Sequence, residues 1–285
     1  GDKKKILGFS QEEKPLALQV GGSDKKELST VCKIAEDLGY DEININLGCP
    51  SKKVQKNKFG ACLIKEPDLV AECVNEMVKS CSIPVTAKTR IGFDDTENFQ
   101  YLNNFVNKIS AAGCKTIILH ARKAILKGLT PKENLKIPKL NYPMVYEIKK
   151  NNPNLEIVIN GGITNCLQIK EHLQKCDGVM IGRAIYQNPY FLAEIENEIF
   201  SNLNVPSRSE ITEKLVEYVK EETQKGTRVN QIMRHTVGLY YGQNGANKWK
   251  RFLSDNMMAR DSDFQKVDHI MEIAQNNEKA NQPIS

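Results

Sequence analysis

Six short apolar runs, each closing on polar groups, constrain this chain more than any other feature of its sequence. They are Leu16–Val20, Ile43–Leu47, Pro84–Lys88, Thr116–His120, Ile157–Asn160 and Val179–Gly182. Most are rich in β-branched residues, and all are short enough to be buried strands. Between them lie stretches with helical spacing: Lys26–Leu38 behind a Ser23 or Asp24 cap, Pro67–Lys79, Phe99–Ala112 and Cys166–Gln174. Strands alternating with helices at roughly 22–42 residue spacing predict right-handed βαβ units and a parallel sheet.

The run ends choose between parallel architectures. They carry Gln19, Asn46 with Cys49, Lys88 with Arg90, His120 with Arg122, Asn160 with Gly161-Gly162, and Gly182-Arg183. A (β/α)8 TIM barrel gathers all its C-terminal strand ends on one face, whereas a doubly wound sheet concentrates function at one switch point. Six polar ends in succession therefore predict the barrel. No G-x-G-x-x-G or P-loop pattern follows a run, which removes the usual dinucleotide and nucleotide-triphosphate readings. The glycines of the last two ends, with Arg183, suit the phosphate site that barrels build after strands 7 and 8. On that count two strands of a complete barrel would precede Gly1.

Composition narrows the class. The 285 residues include 40 Lys+Arg and 35 Asp+Glu, for a net charge of +5, and 40% are hydrophobic. That is a globular composition rather than a disordered one. No apolar stretch reaches membrane-spanning length, and no apolar segment follows Gly1–Lys5 as in a signal peptide, so a cytoplasmic protein is expected. The cysteines at 32, 49, 62, 73, 81, 114, 166 and 176 contain no C-x-x-C pair, so no metal site and no disulfide scaffold is expected. Three windows hold bases without acids: residues 43–65, 98–132 and 223–254. Together they suggest a polyanionic partner such as a nucleic acid.

The motifs then take on a resemblance. Leu18-Gln19-Val20-Gly21-Gly22, Asn44-Ile45-Asn46-Leu47-Gly48-Cys49-Pro50-Ser51 and Phe59-Gly60-Ala61-Cys62-Leu63 resemble segments of the tRNA-dihydrouridine synthases. So do Lys88-Thr89-Arg90-Ile91-Gly92, His120-Ala121-Arg122-Lys123, Asn160-Gly161-Gly162 and Gly182-Arg183-Ala184. Gly128–Asn134 and Gly178–Pro189 are similar to the type acting at positions 20 and 20a of the tRNA D-loop. The likeness runs from about Gly1 to about Asn256.

The resemblance implies an FMN-binding barrel over residues 1–203, a linker at 204–209 and a helical tRNA-binding domain over 210–285. It implies hydride transfer from FMN N5 to uracil C6, protonation of C5 by Cys49, and NADPH as reductant. An ordinary thiol, with pKa about 8.5, is mostly protonated at neutral pH and can serve as that acid. By the same matching Gln19, Lys88, His120, Asn160, Gly161, Gly162, Gly182 and Arg183 bind FMN. Asn46, Lys132, Lys248 and Arg251 match tRNA contacts, and Arg90 and Arg122 are expected to face substrate or phosphate. Leu135 stands where that type usually carries another base. The family's first two strands, one with a Pro-Met-Met-type segment under the flavin, would lie before Gly1.

Beyond the barrel pattern, helices are expected over Glu210–Gln224, Val229–Tyr241 and Ala246–Asn256, with a disordered tail over Asn276–Ser285. Trp249 is read as a core anchor, with a base-stacking platform as the other possibility. Partners are then tRNA and NADPH, with no membrane, no metal and a monomeric state. Two rival functions are a flavin oxidoreductase acting on a free pyrimidine and a truncated, non-catalytic tRNA-binding remnant.

Overall fold

The computed structural model describes residues 6–257. Its centre is a six-stranded, wholly parallel sheet: β1 (Ala17–Val20), β2 (Glu42–Leu47), β3 (Val85–Arg90), β4 (Thr116–His120), β5 (Glu156–Asn160) and β6 (Gly178–Met180). The strands pair strictly in chain order. Right-handed crossovers that always step the same way keep the helices on one side and leave no switch point. That is the winding of a TIM-type (β/α) barrel, as the polar strand ends predict.

The helices between strands are α1 (Lys25–Asp37), α2 (Lys52–Lys56), α3 (Pro67–Ser80), α4 (Phe99–Ala111), α5 (Tyr142–Asn151) and α6 (Cys166–Leu173). Asp24 caps α1 by accepting the Lys26 and Glu27 N–H groups, both at 2.9 Å. Amphipathic spacing then buries Leu28, Cys32 and Ala35 of α1, Val70, Cys73, Val74 and Met77 of α3, and Leu102, Phe105, Val106 and Ile109 of α4. The facing strand residues Ile43, Ile45, Leu47, Ala87, Ile117, Leu119, Ile157 and Ile159 are all 0% exposed. Each large aliphatic chain buried this way stabilises the fold by about 1.5–3 kcal/mol.

Two compact units divide the chain. One takes residues up to Gly162 together with Glu171–Met180, and the other takes Ile163–Lys170 with the chain from Ile181 on. The expected linker, Asn204–Ser209, lies inside the second unit. That unit contains α7 (Arg183–Gln187), α8 (Phe191–Glu198), α9 (Arg208–Gln224), α10 (Val229–Met233) and α11 (Ala246–Met257). Ser207 caps α9 in a capping box with Glu210. The helix expected over Val229–Tyr241 stops at Met233. There Thr236 turns its hydroxyl back onto the Met233 carbonyl at 2.9 Å, competing with the helical ladder. The tail expected to be disordered lies outside the described residues.

Trp249 organises the second unit's core. It is 0% exposed, packs on Tyr240 with ring centroids 5.1 Å apart, and donates its indole N–H to the Thr236 carbonyl at 3.1 Å. Val216, Val219, Met233, Leu239 and Leu253 close around it. The core-anchor reading is therefore the correct one, and the stacking platform is excluded. Trp249→Ala should cost about 3–5 kcal/mol of unfolding free energy, checked by chemical denaturation followed at Tyr and far-ultraviolet signals.

Candidate active site

Strand parity builds the site. Cross-strand partners run Gln19↔Asn44, Asn46↔Lys88, Arg90↔His120, His120↔Asn160 and Asn160↔Met180. Because side chains alternate faces, Gln19, Asn44, Asn46, Thr86, Lys88, Arg90, His120 and Asn160 share the face opposite the helices. Most stand at the C-terminal ends of their strands, the end that carries function in barrels.

Lys88 is the central charge of that face. Its ammonium donates to Asn160 Oδ1 at 3.0 Å, while Asn160 Nδ2 donates to the Met180 carbonyl at 2.8 Å. Burial, with repulsion from Arg90 added, pushes the ammonium down to about 8. Among the described residues no carboxylate forms an ion pair with it.

Cys49 lies on the turn that leaves β2. Asn46 Oδ1 accepts the N–H groups of Gly48 and Cys49, both at 3.1 Å, an Asx arrangement that fixes the turn. Asn46 Nδ2 in turn donates to Gln19 Oε1 at 3.0 Å. Ser51 then caps α2 through the Val54 N–H. Gly60 closes on the turn from the other side: a Cβ there would stand 2.6 Å from the Cys49 carbonyl oxygen, at φ +75°. The thiol turn and the Lys88–Asn160 pair thus share one face and one end of the sheet.

Arg90 and Arg122, expected to face substrate or phosphate, both donate to loop carbonyls. Arg90 is 4% exposed and donates to the carbonyls of Gly48 at 2.9 Å, Lys123 at 3.0 Å and Asn134 at 3.1 Å. Arg122 is 8% exposed and donates to the Pro138 carbonyl at 2.7 Å. Both guanidiniums brace the loops around the strand ends. Burial depresses the Arg90 guanidinium, the Arg122 cation adds to that, and the Cys49 thiol opposes it.

His120 is buried at the end of β4. Its ring borders Gly161, where a Cβ would meet His120 Cε1 at 3.2 Å. Gly161 and Gly162 both need positive φ, at +117° and +76°. Sequence reasoning missed Tyr142, whose hydroxyl donates to the Gly161 carbonyl at 2.7 Å and occupies the space a side chain at 162 would fill. It also missed Asn134, fully buried, which ties Ile125 through both its amide atoms and offers its carbonyl to Arg90. Tyr142 carries no local motif that would have betrayed it, and Asn134 closes the Gly128–Asn134 stretch without any sign of its bracing role.

The remaining expected residues are exposed or lie in the second unit. Lys132 is exposed at the start of the 3-10 turn Glu133–Leu135, and Leu135 is half-buried. Within the second unit, Gly182 caps α7 and Arg183 begins it. On α11, Lys248 and Arg251 are exposed one turn apart while Trp249 and Leu253 point inward. Among the described residues no cluster of three His, Cys, Asp or Glu could hold a metal, and no helix is long and apolar enough to cross a membrane.

These features define a parallel α/β barrel protein with a thiol turn and, at the C-terminal ends of its strands, a half-buried ammonium that no carboxylate pairs among the described residues. The chain belongs to the dihydrouridine synthase family: the family described as Dihydrouridine synthase (Dus) matches residues 1–277. It is 51% identical over 259 residues to a tRNA-dihydrouridine(20/20a) synthase of Synechocystis, covering 90% of this chain and 78% of that protein. Relatives of the same description in Shewanella oneidensis and Escherichia coli K12 are 50% and 46% identical, covering 88% and 94% of this chain and 75% and 78% of theirs. Among solved structures, morphinone reductase in complex with tetrahydroNAD is similar at 12% identity and TM-score 0.43, over 65% of this chain and 51% of that one.

The half-buried ammonium has a consequence for stability. Its folded-state pKa of about 8 lies below the ordinary 10.5, so the cost of burying the charge is fully present below pH 8. The cost is relieved as pH rises from about 8 toward 10.5, where only the unfolded chain holds the proton. Lys88→Met should therefore be more stable than the native chain at pH 7 by about 1–2 kcal/mol, after discounting for partial exposure. The gain should shrink by pH 10, as measured by urea midpoints. Parallel pH profiles for the two proteins would contradict this.

Proposed function

We propose that this chain reduces uridine to 5,6-dihydrouridine at positions 20 and 20a of the tRNA D-loop, using FMN and NADPH. The observation that carries the reading is the placement of the Cys49 turn beside Asn46 and Lys88 on one sheet face, in a member of this family. When bound, FMN supplies hydride to uracil C6 and is re-reduced by NADPH.

The donor set suits such a group. Lys88 is a half-buried cation that forms no ion pair among the described residues, matching the negative N1/O2 edge of a reduced flavin. Gln19 and Asn46 add amides, and the Gly161-Gly162 turn exposes backbone to an anion. In this reading Gln19, Lys88, His120, Asn160, Gly161 and Gly162 hold the cofactor. Cys49 holds the proton at Sγ and gives it to C5 of the base. Arg90 and Arg122 hold the loops that frame the pocket rather than the RNA.

The basic residues give the polynucleotide a place to rest. Lys52, Lys53, Lys56 and Lys58 are exposed immediately after the Cys49 turn, and among the described residues none forms an ion pair. Asn46, Lys132, Lys248 and Arg251 contact the tRNA, which presents its uracil by extruding it from the stack. A reductase of free pyrimidines would have no use for these exposed cations.

Two measurements test the reading. Cys49→Ala should keep FMN and tRNA binding but lower dihydrouridine formation by about 100-fold or more, read by mass spectrometry of D-loop fragments. Native-level turnover would remove Cys49 as the acid. Lys248→Ala with Arg251→Ala should weaken tRNA binding and flatten the log–log salt slope by about 2, read by filter binding across salt concentrations. An unchanged slope would take the second unit out of the RNA contact.

A further inference from the structure

We propose that Glu42 and Thr86 are positioning residues, which orient Gln19 and the Cys49 turn through a one-way relay of hydrogen bonds. The inference rests on the reading above that Gln19 faces FMN and Cys49 the base.

The relay can be followed from its fixed end. The Gly48 and Cys49 backbone N–H groups can only donate, so the Asn46 atom facing them, at 3.1 Å from each, is Oδ1. The other Asn46 amide atom is then a donor, and it meets Gln19 Oε1 at 3.0 Å. Gln19 must consequently present Nε2 to Asn44 Oδ1, at 2.8 Å. Asn44 in turn presents Nδ2 to Thr86 Oγ1, at 2.7 Å. The Thr86 hydroxyl, having accepted that bond, donates its own hydrogen to the Glu42 carboxylate. A carboxylate can only accept, so the chain ends there with one possible polarity.

The inner links are sealed from water. Asn44 is 3% exposed and Thr86 is 2% exposed, so a flipped Asn44 amide, or a Thr86 hydroxyl turned away from Glu42, would leave an unsatisfied group. The outer links face the site: Gln19 is exposed and Asn46 half-buried. Each retains one amide N–H not used in the relay, and the Glu42 carboxylate at one end and the Gly48 and Cys49 N–H groups at the other hold both amides in the polarity that keeps this free group a donor. A donor suits the ring carbonyls that flavin and uracil share. Glu42 touches neither ligand, and acts through Thr86, Asn44 and Gln19.

Two substitutions separate this from a packing role. Thr86→Val keeps the shape and removes the hydroxyl, whereas Thr86→Ser restores it in a smaller side chain. The first readout is FMN affinity by fluorescence quenching. The second is the alkylation rate of Cys49 by iodoacetamide, followed by mass spectrometry of the Cys49 peptide, which needs no flavin. Thr86→Val should weaken FMN binding about tenfold, equivalent to about 1.4 kcal/mol, and shift the Cys49 rate by about threefold or more. Thr86→Ser should return both to within about twofold of native. Glu42→Leu, at a partly exposed strand start, should repeat the Thr86→Val losses and serves if that variant does not fold. Native values in both variants, or failure of Thr86→Ser to rescue, would overturn the relay. Should the native chain itself bind no FMN, the proposed function falls, and the alkylation rates still decide the relay.

Discussion

The two-residue period of the strands is the constraint on which the rest of this structure depends. One set of positions, Ile43, Ile45, Leu47, Ala87, Ile117, Leu119, Ile157 and Ile159, packs under the helices with no exposure. The alternate set carries Gln19, Asn44, Asn46, Lys88, Arg90, His120 and Asn160. Slipping β3 by one residue would drive Lys88 and Arg90 beneath α3 and α4, at several kcal/mol for each desolvated ion. The apolar packing that stabilises the sheet therefore also fixes which side chains meet at the site. Fold and site share a single determinant here.

Gathering cations on one inner face has its own cost, and the three cations meet it in different ways. Arg90 spreads its charge over three loop carbonyls, and Arg122 donates to that of Pro138. Their desolvation is thus repaid by ordering the segments that follow β2 and β4. Among the described residues Lys88 receives only a neutral amide oxygen, and burial together with the Arg90 charge pushes its ammonium down. Under the proposed function a negatively charged ring beside Lys88 would supply the missing counter-charge. Stability withheld from the free chain would then appear as affinity.

What could be read from the sequence was whatever depends on neighbours along the chain. Asp24 announced the start of α1 because a cap needs only the next three residues, whereas the helix expected from Glu210 begins at Arg208, behind a Ser207 cap inside the expected linker. The strands were legible because their apolar runs are local. The helix through Val229–Tyr241 was over-read, since periodicity continues past Met233 while the Thr236 hydroxyl diverts the backbone. The fates of Arg90 and Arg122 were illegible for a different reason. A strand-end arginine is equally suited to a ligand or to a loop carbonyl, and the choice is made by Gly48, Lys123, Asn134 and Pro138, which approach only in three dimensions. Tyr142 and Asn134 were missed for the same reason.

The thiols show how position rather than residue type selects a chemical role. Cys32 and Cys114 are fully buried, and burial pushes both up to about 12. Burial likewise lifts Cys176 to about 11. Cys62, Cys73, Cys81 and Cys114 commit their S–H groups to backbone carbonyls. Such thiols behave as small apolar residues with a satisfied donor. Cys49 is half-buried, and among the described residues its sulfur makes no hydrogen bond. Its backbone is nonetheless held on both sides, by Asn46 through its N–H and by Ala61 through its carbonyl. Under the proposed function, a fixed main chain carrying an uncommitted side chain is what proton delivery by Cys49 requires, because the donor must be placed without being consumed by its own scaffold.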